Sequence, residues 1–350
     1  MVRKKWHSAL LLTVLSIALP IILLFSVGTG PVAIAPMDIL AILSDRIGLL
    51  TTSINEQSQL IIESIRLPRT LMGIMVGAAL AVAGASMQGI FRNPLADPSI
   101  IGVAGGASLG AGIAIVLGGV LFASIAGSFI HSFSVSLLAF VGGMLSTWIV
   151  YRTGTTSNGT SVATMLLAGV AINALSGAGM GVLTYLADDT ALRSLSFWQM
   201  GSLGGATWNL VLVCAVVLLP ATLVLCRCGQ VINAILLGES EARHLGINVQ
   251  WVKLKLITLC AIIVGVAVSV SGFIGFIGLV VPHLIRLMVG PDHRVLLPAS
   301  ALLGGIILTA ADMIARTIVA PSDLPIGIVT ALMGAPFFMS MLWQQRQRIA

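Results

Sequence analysis

The sequence predicts an all-α polytopic membrane protein of ten transmembrane helices, and three observations lead there. Of its 350 residues, 57% are hydrophobic and only 9% are charged, with a mean hydropathy of +1.07, which lies outside the range of water-soluble domains. Apolar runs close to the roughly 20 residues that cross a bilayer recur with short polar interruptions. The cationic residues, finally, divide unevenly between the two sides once those runs are threaded through a membrane. No stretch remains for a soluble domain, so residues 1–350 read as a single transmembrane unit.

The first run, "MVRKKWHSALLLTVLSIALPIILLF", has the basic start and apolar middle of a secretory signal. Its apolar part is longer than a signal core and further runs follow, so it reads as an uncleaved first span. The spans fall at about 8–28, 70–91, 100–119, 133–151, 161–186, 207–226, 254–271, 274–290, 296–316 and 325–343. An even number places both termini on one side. With that side inside the cell, thirteen cationic residues lie within: Arg3, Lys4, Lys5, Arg92, Arg152, Arg227, Arg243, Lys253, Lys255, Arg286, Arg294, Arg346 and Arg348. Five lie outside, namely Arg46, Arg66, Arg69, Arg193 and Arg316. The same bias accounts for the net charge of +6 without a nucleic-acid partner, since no basic cluster is interleaved with aromatics.

The second and seventh spans share a motif. "VGAALAVAG" at 76–84 matches "VGVAVSVSG" at 264–272 at five of nine positions, and Pro94 and Pro282 follow at the same offset. Spans five apart point in opposite directions, which is the trace of an inverted repeat; chance similarity between Gly/Ala/Val-rich spans is the competing account. The 38 glycines, as in "GGASLGAG" at 105–112, let helices approach closely where lipid supplies little hydrophobic force between them.

What the spans lack is equally informative. Asp312 is the one acidic residue well inside a span, and Arg316 one turn later makes an i,i+4 pair the plain reading, so coupling to protons or sodium has little support. There is no GxxxxGK[ST] or HExxH pattern, which removes the parts of a P-loop ATPase and of an HExxH metallohydrolase. Cys214, Cys226, Cys228 and Cys260 have no zinc-site spacing, and His283 has no partner at ligand spacing, so no metal site is assigned.

The longest inside loop, about 228–252, contains "LGESEARHLG". Gly238 can stop one short helix, Ala242 and Leu245 then fall on one face of the next, and Gly246 ends it. The Gly-Glu-x-x-Ala-x-x-Leu-Gly string resembles the coupling loop of ABC importer permeases. Further stretches agree: "RLPRTLMGIMVGAALAVAGASMQGIFRNPLADPSIIGVAGGASLG" at 66–110, "LLAGVAINAL" at 166–175, "GFIGFIGLVVPHLIRLMVGPDHRVLLPASALLGGIILTAADMIAR" at 272–316 and "LPIGIVTALMGAPFFMSML" at 324–342. Together they resemble the FecCD family, type II (BtuC-like) permeases that import iron-siderophores, haem and cobalamin.

The resemblance implies a ten-span permease in the bacterial inner membrane, with both termini cytoplasmic, that pairs with a second copy of itself or, alternatively, with a paralogue. Two ATPase subunits bind below and carry the ATP and magnesium, and a periplasmic binding protein delivers substrate from outside; no cofactor is implied in this chain. It assigns Gly238, Glu239, Ala242, Leu245 and Gly246 to the ATPase coupling loop. By motif, Arg66, Arg69 and Arg316 become outer-face arginines that hold carboxylates of the binding protein, a task suited to their planar fork; snorkelling span-end arginines are the alternative. Asn93 and Leu95 match one gate constriction, and Thr160, Ser161 and Thr164 are candidates for a second, although Asn93-Pro94 also fits a plain turn. The outer segment "LRSLSFWQMGSLGGATW" at 192–208 is most similar to haem permeases of the family, with Phe197, Trp198 and Trp208 also readable as interfacial aromatics. Haem import is therefore expected, ahead of a ferric siderophore and of cobalamin. A stand-alone secondary transporter is the alternative from another class.

Overall fold

A computed structural model describes residues 2–32, 34, 37, 39, 41, 42, 56–121, 129–156 and 159–349. Arg46 lies outside these residues. The described chain forms helices α1 (Val2–Gly28), α2 (Glu56–Phe91), α3 (Val103–Leu121) and α4 (Phe129–Gly154). A two-stranded hairpin, β1 (Thr155–Thr156) and β2 (Gly159–Thr160), leads into α5 (Val162–Leu186). Then come α6 (Asp189–Met200), α7 (Trp208–Arg227), α8 (Gly229–Leu237) and α9 (Glu239–His244). The last four are α10 (Val249–Ser271), α11 (Ile277–Val289), α12 (His293–Ala315) and α13 (Ile326–Ile349).

Among the described residues, eight helices are long and apolar enough to cross a membrane, and two shorter apolar helices, Ile277–Val289 and Ile326–Met341, complete the ten predicted spans. One span differs in kind from its prediction. The run 274–290 yields a helix of only 13 residues, about 20 Å at 1.5 Å per residue, against the roughly 30 Å of hydrocarbon. Gly272 ends α10 at φ 66°, and Phe276 takes a left-handed φ of 68° before α11 starts, so hydrophobicity continues where helix does not.

α2 and α10 are mostly buried and form the centre, whereas α1 and α5 are largely exposed. α2 and α12 run antiparallel at backbone contact. A Cβ on Gly77 would sit 2.3 Å from the Gly304 carbonyl oxygen, and one on Gly304 would sit 2.4 Å from that of Gly77. Gly106 and Gly142 make the same mutual contact between α3 and α4, each with a Cβ position 2.3 Å from the other's oxygen. These are the small-residue seams that membrane packing requires.

The end of the bundle that carries α8 and α9 is proximal, and the opposite end, where Arg69 meets Asp323, is distal. α2 runs from distal to proximal. α10 runs the other way, from Lys253 beside Glu239 to Ser271, whose carbonyl accepts from the Ser202 amide at 2.8 Å. The two repeat segments, 76–84 and 264–272, thus lie in antiparallel helices, as an inverted repeat demands.

Candidate functional site

At the distal end the three arginines singled out by the sequence converge, but inside the protein. Arg66, Arg69 and Arg316 retain 4%, 8% and 3% of their surface. The Arg69 Nε donates to both Asp312 oxygens at 2.9 and 3.1 Å, and its Nη2 lies 2.8 Å from Oδ1. Its Nη1 reaches Asp323 Oδ2 at 2.6 Å. The Arg316 Nε stands 3.4 Å from Asp312 Oδ2, the predicted i,i+4 pair, and its guanidinium also donates to the Ser26 hydroxyl. Arg66 turns to the end of α1, donating to the carbonyls of Val27 and Gly28 at 3.0 and 2.9 Å and to that of Val32. It satisfies carbonyls that have no partner within their own helix and places a cation at the negative end of the dipole.

These contacts engage all three arginines within the same chain and leave none of them presented at the surface. Asp312 can hold Arg69 bidentately within the same chain, and charges this far from water persist only when paired. Among the described residues, exposed charges near this end include Asp323 at the rim, Glu56 at the start of α2, Asp188 capping α6, and Asp189 and Arg193 on α6. Of the aromatics, Phe197 and Trp208 are about half exposed, Trp198 packs against the core, and the Trp208 indole donates to the Glu63 carbonyl at 2.9 Å.

At the proximal end α8 and α9 form the expected helix-turn-helix. Gly238 joins them at φ 149°, where a Cβ would strike the Glu241 carboxylate at 1.6 Å, so the turn requires glycine. Ala242 is fully buried with Ala234, Ile235 and Val249. Leu245, expected on that same face, is instead 65% exposed, because α9 ends at His244 and Leu245 is already its cap before Gly246 turns at φ 80°. Leu237, the last residue of α8, is exposed as well. An open cavity of about 370 Å³ lies next to this unit, lined by Arg243, Gly246, Ile247, Asn248, Val249 and Gln250.

α8 is anchored through Asn233, a residue that nothing in the sequence marked. Its Nδ2 donates to Asp292 Oδ1 at 2.7 Å, and its Oδ1 accepts from the His293 amide at 2.9 Å, tying α8 to the start of α12. Hydrogen bonds from Arg294, then from Asn233, hold the Asp292 carboxyl well below the usual carboxylate range. Lys253, counted in the sequence only as an inside positive, is buried and bonded to Glu239 at 2.6 Å.

The gate candidates also lie at the proximal end, in two separate loops. Asn93 is exposed and its Oδ1 accepts from the Leu95 amide at 2.9 Å, while Leu95 is half-buried. Arg92 caps α2 in a left-handed conformation at φ 50°, so this segment is a tight turn whatever else it does. Ser161 caps α5, accepting from the Thr164 amide at 3.3 Å and its hydroxyl at 2.9 Å. The Thr160 hydroxyl instead faces Gln250 at 3.1 Å. Among the described residues no three His, Cys, Asp or Glu side chains come together as a metal site.

Comparison with known proteins is specific. The hemin transport system permease protein HmuU of Yersinia pestis is 47% identical over 306 residues, 86% of this chain and 88% of that protein. The cobalamin import system permease protein BtuC of Halobacterium salinarum is 42% identical over 301 residues, 85% of this chain and 78% of the relative. A solved inward-facing conformation of a metal-chelate type ABC transporter superposes with a TM-score of 0.81 at 31% identity, covering 95% of this chain and 98% of that one. The model of the FecCD transport family matches residues 18–344, so the chain belongs to that family and is the membrane permease subunit of an ABC importer of this type.

Proposed function

We propose that this permease carries haem across the bacterial inner membrane, accepting it from a periplasmic binding protein and driven by two separate ATPase subunits. The observation that carries the substrate is the 47% identity with a hemin permease over 86% of the chain. Phe197 and Trp208, half exposed on the distal face, add flat surface suited to a planar macrocycle.

The proximal end faces the cytoplasm and the distal end the periplasm, in keeping with the excess of cationic residues at the proximal end. The binding protein docks distally. Arg66, Arg69 and Arg316 serve that docking by fixing the rim that follows Arg316, and the charges offered to the partner are Asp323 and Arg193. An ATPase receives the α8–α9 unit below, where Leu237 and Leu245 present apolar knobs. A second copy of the chain covers α5, on which Leu167, Val170, Leu175 and Val182 are exposed and Gly177 and Gly181 have open space. Substrate then passes between the two copies, past Asn93, Leu95 and the Thr160–Thr164 segment.

ATP hydrolysis by the partner drives the cycle, and this chain performs no covalent step. Its wall need not bind substrate tightly, because selectivity resides in the binding protein and tight binding would slow release. Cobalamin is the second reading, favoured by the 42% identity with a cobalamin permease; a ferric siderophore is the third. Proteoliposomes holding the permease with its ATPase test all three, with hemin-loaded, cobalamin-loaded and ferric-siderophore-loaded binding proteins supplied in parallel. Stimulated hydrolysis and uptake with hemin alone supports the proposal. Stimulation by another ligand replaces the substrate, and uptake without the ATPase replaces the importer by a secondary carrier.

A further inference from the structure

Between the docking unit and the foot of α5 lies a polar link that uses a lysine removed from water. Lys253 stands in the second turn of α10 with its side chain 1% exposed, and its Nζ is 2.6 Å from Glu239 Oε1, on the first residue of α9. The same ammonium donates to the carbonyl of Thr160, the last residue of β2, at 3.4 Å. One turn earlier on α10, Gln250 Oε1 accepts from both the amide and the hydroxyl of Thr160, at 3.2 and 3.1 Å. The hairpin is built to admit this contact. Gly159 sits at φ 121°, a backbone angle that favours glycine, and a Cβ there would lie 2.7 Å from Gln250 Nε2, so a larger residue would push this amide aside. Ser161 follows directly as the cap of α5, and its amide donates to the Gly154 carbonyl at 2.8 Å.

The geometry points to Lys253 as the positioning residue that transmits displacement of α9 to α5, through Glu239 on one side and the Thr160 carbonyl on the other. A buried ammonium is costly to separate from its carboxylate. When a partner shifts α9, Lys253 therefore follows Glu239, and the hairpin held by the same side chain and by Gln250 moves with it. Lysine suits this task as a compact charge on a long stem that can serve two acceptors from one point. The half-exposed carboxylate of Glu239 keeps the pair reachable from the docking side. A static pair would need only Glu239; the second bond to Thr160 and the glycine that admits Gln250 make it a connection.

This inference rests on the reading of α8–α9 as the ATPase docking unit, and the test separates the two. The full permease is reconstituted with its ATPase and binding protein, and uptake of hemin, or of whichever chelate the unmodified protein transports, is measured together with ATP hydrolysis. Lys253→Met and Glu239→Gln are each expected to lower uptake per ATP hydrolysed about tenfold while the ATPase still co-purifies. Lys253→Arg should recover part of the ratio, as should the reciprocal pair Glu239→Lys with Lys253→Glu. Gln250→Ala should lower it about two- to threefold, and decides the matter if Lys253→Met does not assemble. Uptake and hydrolysis falling in equal proportion, or an unchanged ratio in all variants, overturns the relay. The docking reading has its own control: if Leu237→Asp with Leu245→Asp leaves co-purification of the ATPase intact, that reading fails whatever Lys253 does.

Discussion

The two ends of the bundle handle buried charge in opposite ways. At the distal end, Asp312 and Asp323 are gripped by Arg69, Arg316 adds a second contact to Asp312, and Arg66 caps α1, so one compact cluster joins α1, α2, α12 and the rim beyond it. At the proximal end a single lysine spans one carboxylate and one carbonyl. The first arrangement is redundant and closed, which suits a clamp. In the second, Lys253 is the one buried charge common to both joints, which suits an element that must move without coming apart. Between the two, α2 and α12 lie in backbone contact at Gly77 and Gly304 and connect the clamp to the start of α12, where Asn233 holds α8.

The largest effect should come from opening the clamp. Asp312→Ala leaves Arg69 with Asp323 alone and Arg316 without a buried carboxylate, and removing one partner of a buried ion pair costs about 3–5 kcal/mol. Detergent-solubilised protein should melt at a clearly lower temperature, with less recovered from the membrane. A melting temperature equal to that of the unmodified protein would show that the cluster is not a clamp. Next in size is the α2–α12 seam. Gly77→Ala puts a methyl where the Gly304 carbonyl oxygen is 2.3 Å away, and the overpacking cost is about 1–3 kcal/mol. Here ATP hydrolysis stimulated by the binding protein should fall along with stability, because the seam spans both ends. At the proximal anchor, Asn233→Ala leaves the His293 amide without its side-chain acceptor, a loss of about 1–2 kcal/mol. The readout is faster amide exchange confined to α8 and α9.

Much of this molecule is legible in its sequence, and the boundary of that legibility has physical causes. Span positions follow from hydrophobic length, so all ten predicted runs reappear as helices. The break between α8 and α9 follows from Gly238, whose backbone angle only glycine adopts with ease. The partner of Arg69 did not follow, because Asp312 is 243 positions away and meets it only once α2 and α12 are packed. Read locally, Asp312 belonged to Arg316 and the arginines were left free for an external partner; in three dimensions the carboxylate serves both. The face of Leu245 was misjudged for a local reason, since a helix of six residues ends before its periodicity can be used. Lys253 was hidden by the charge rule itself, which treats an inside lysine as a topological marker and asks nothing about its neighbours.

The smallest predicted effect sharpens the comparison most directly, because it separates a charge that holds the fold from one that faces a partner. Arg243 and Glu239 form an i,i+4 pair at 3.9 Å in which the arginine side chain is 61% exposed. Such pairs contribute about 0.3–0.5 kcal/mol and are screened by salt, so Arg243→Ala should leave the melting temperature nearly unchanged. Glu239 keeps its stronger bond to Lys253 in that variant, and uptake per ATP should stay at the unmodified value. What should change is association with the ATPase: with α8–α9 docking as proposed, removing an exposed cation at its rim weakens steering, and the loss should shrink as ionic strength rises. Titration of the ATPase at low and high salt checks this. A lower uptake-to-hydrolysis ratio would mean that Arg243, not Lys253 alone, carries the motion of α9, and the proximal end would then resemble the redundant distal one.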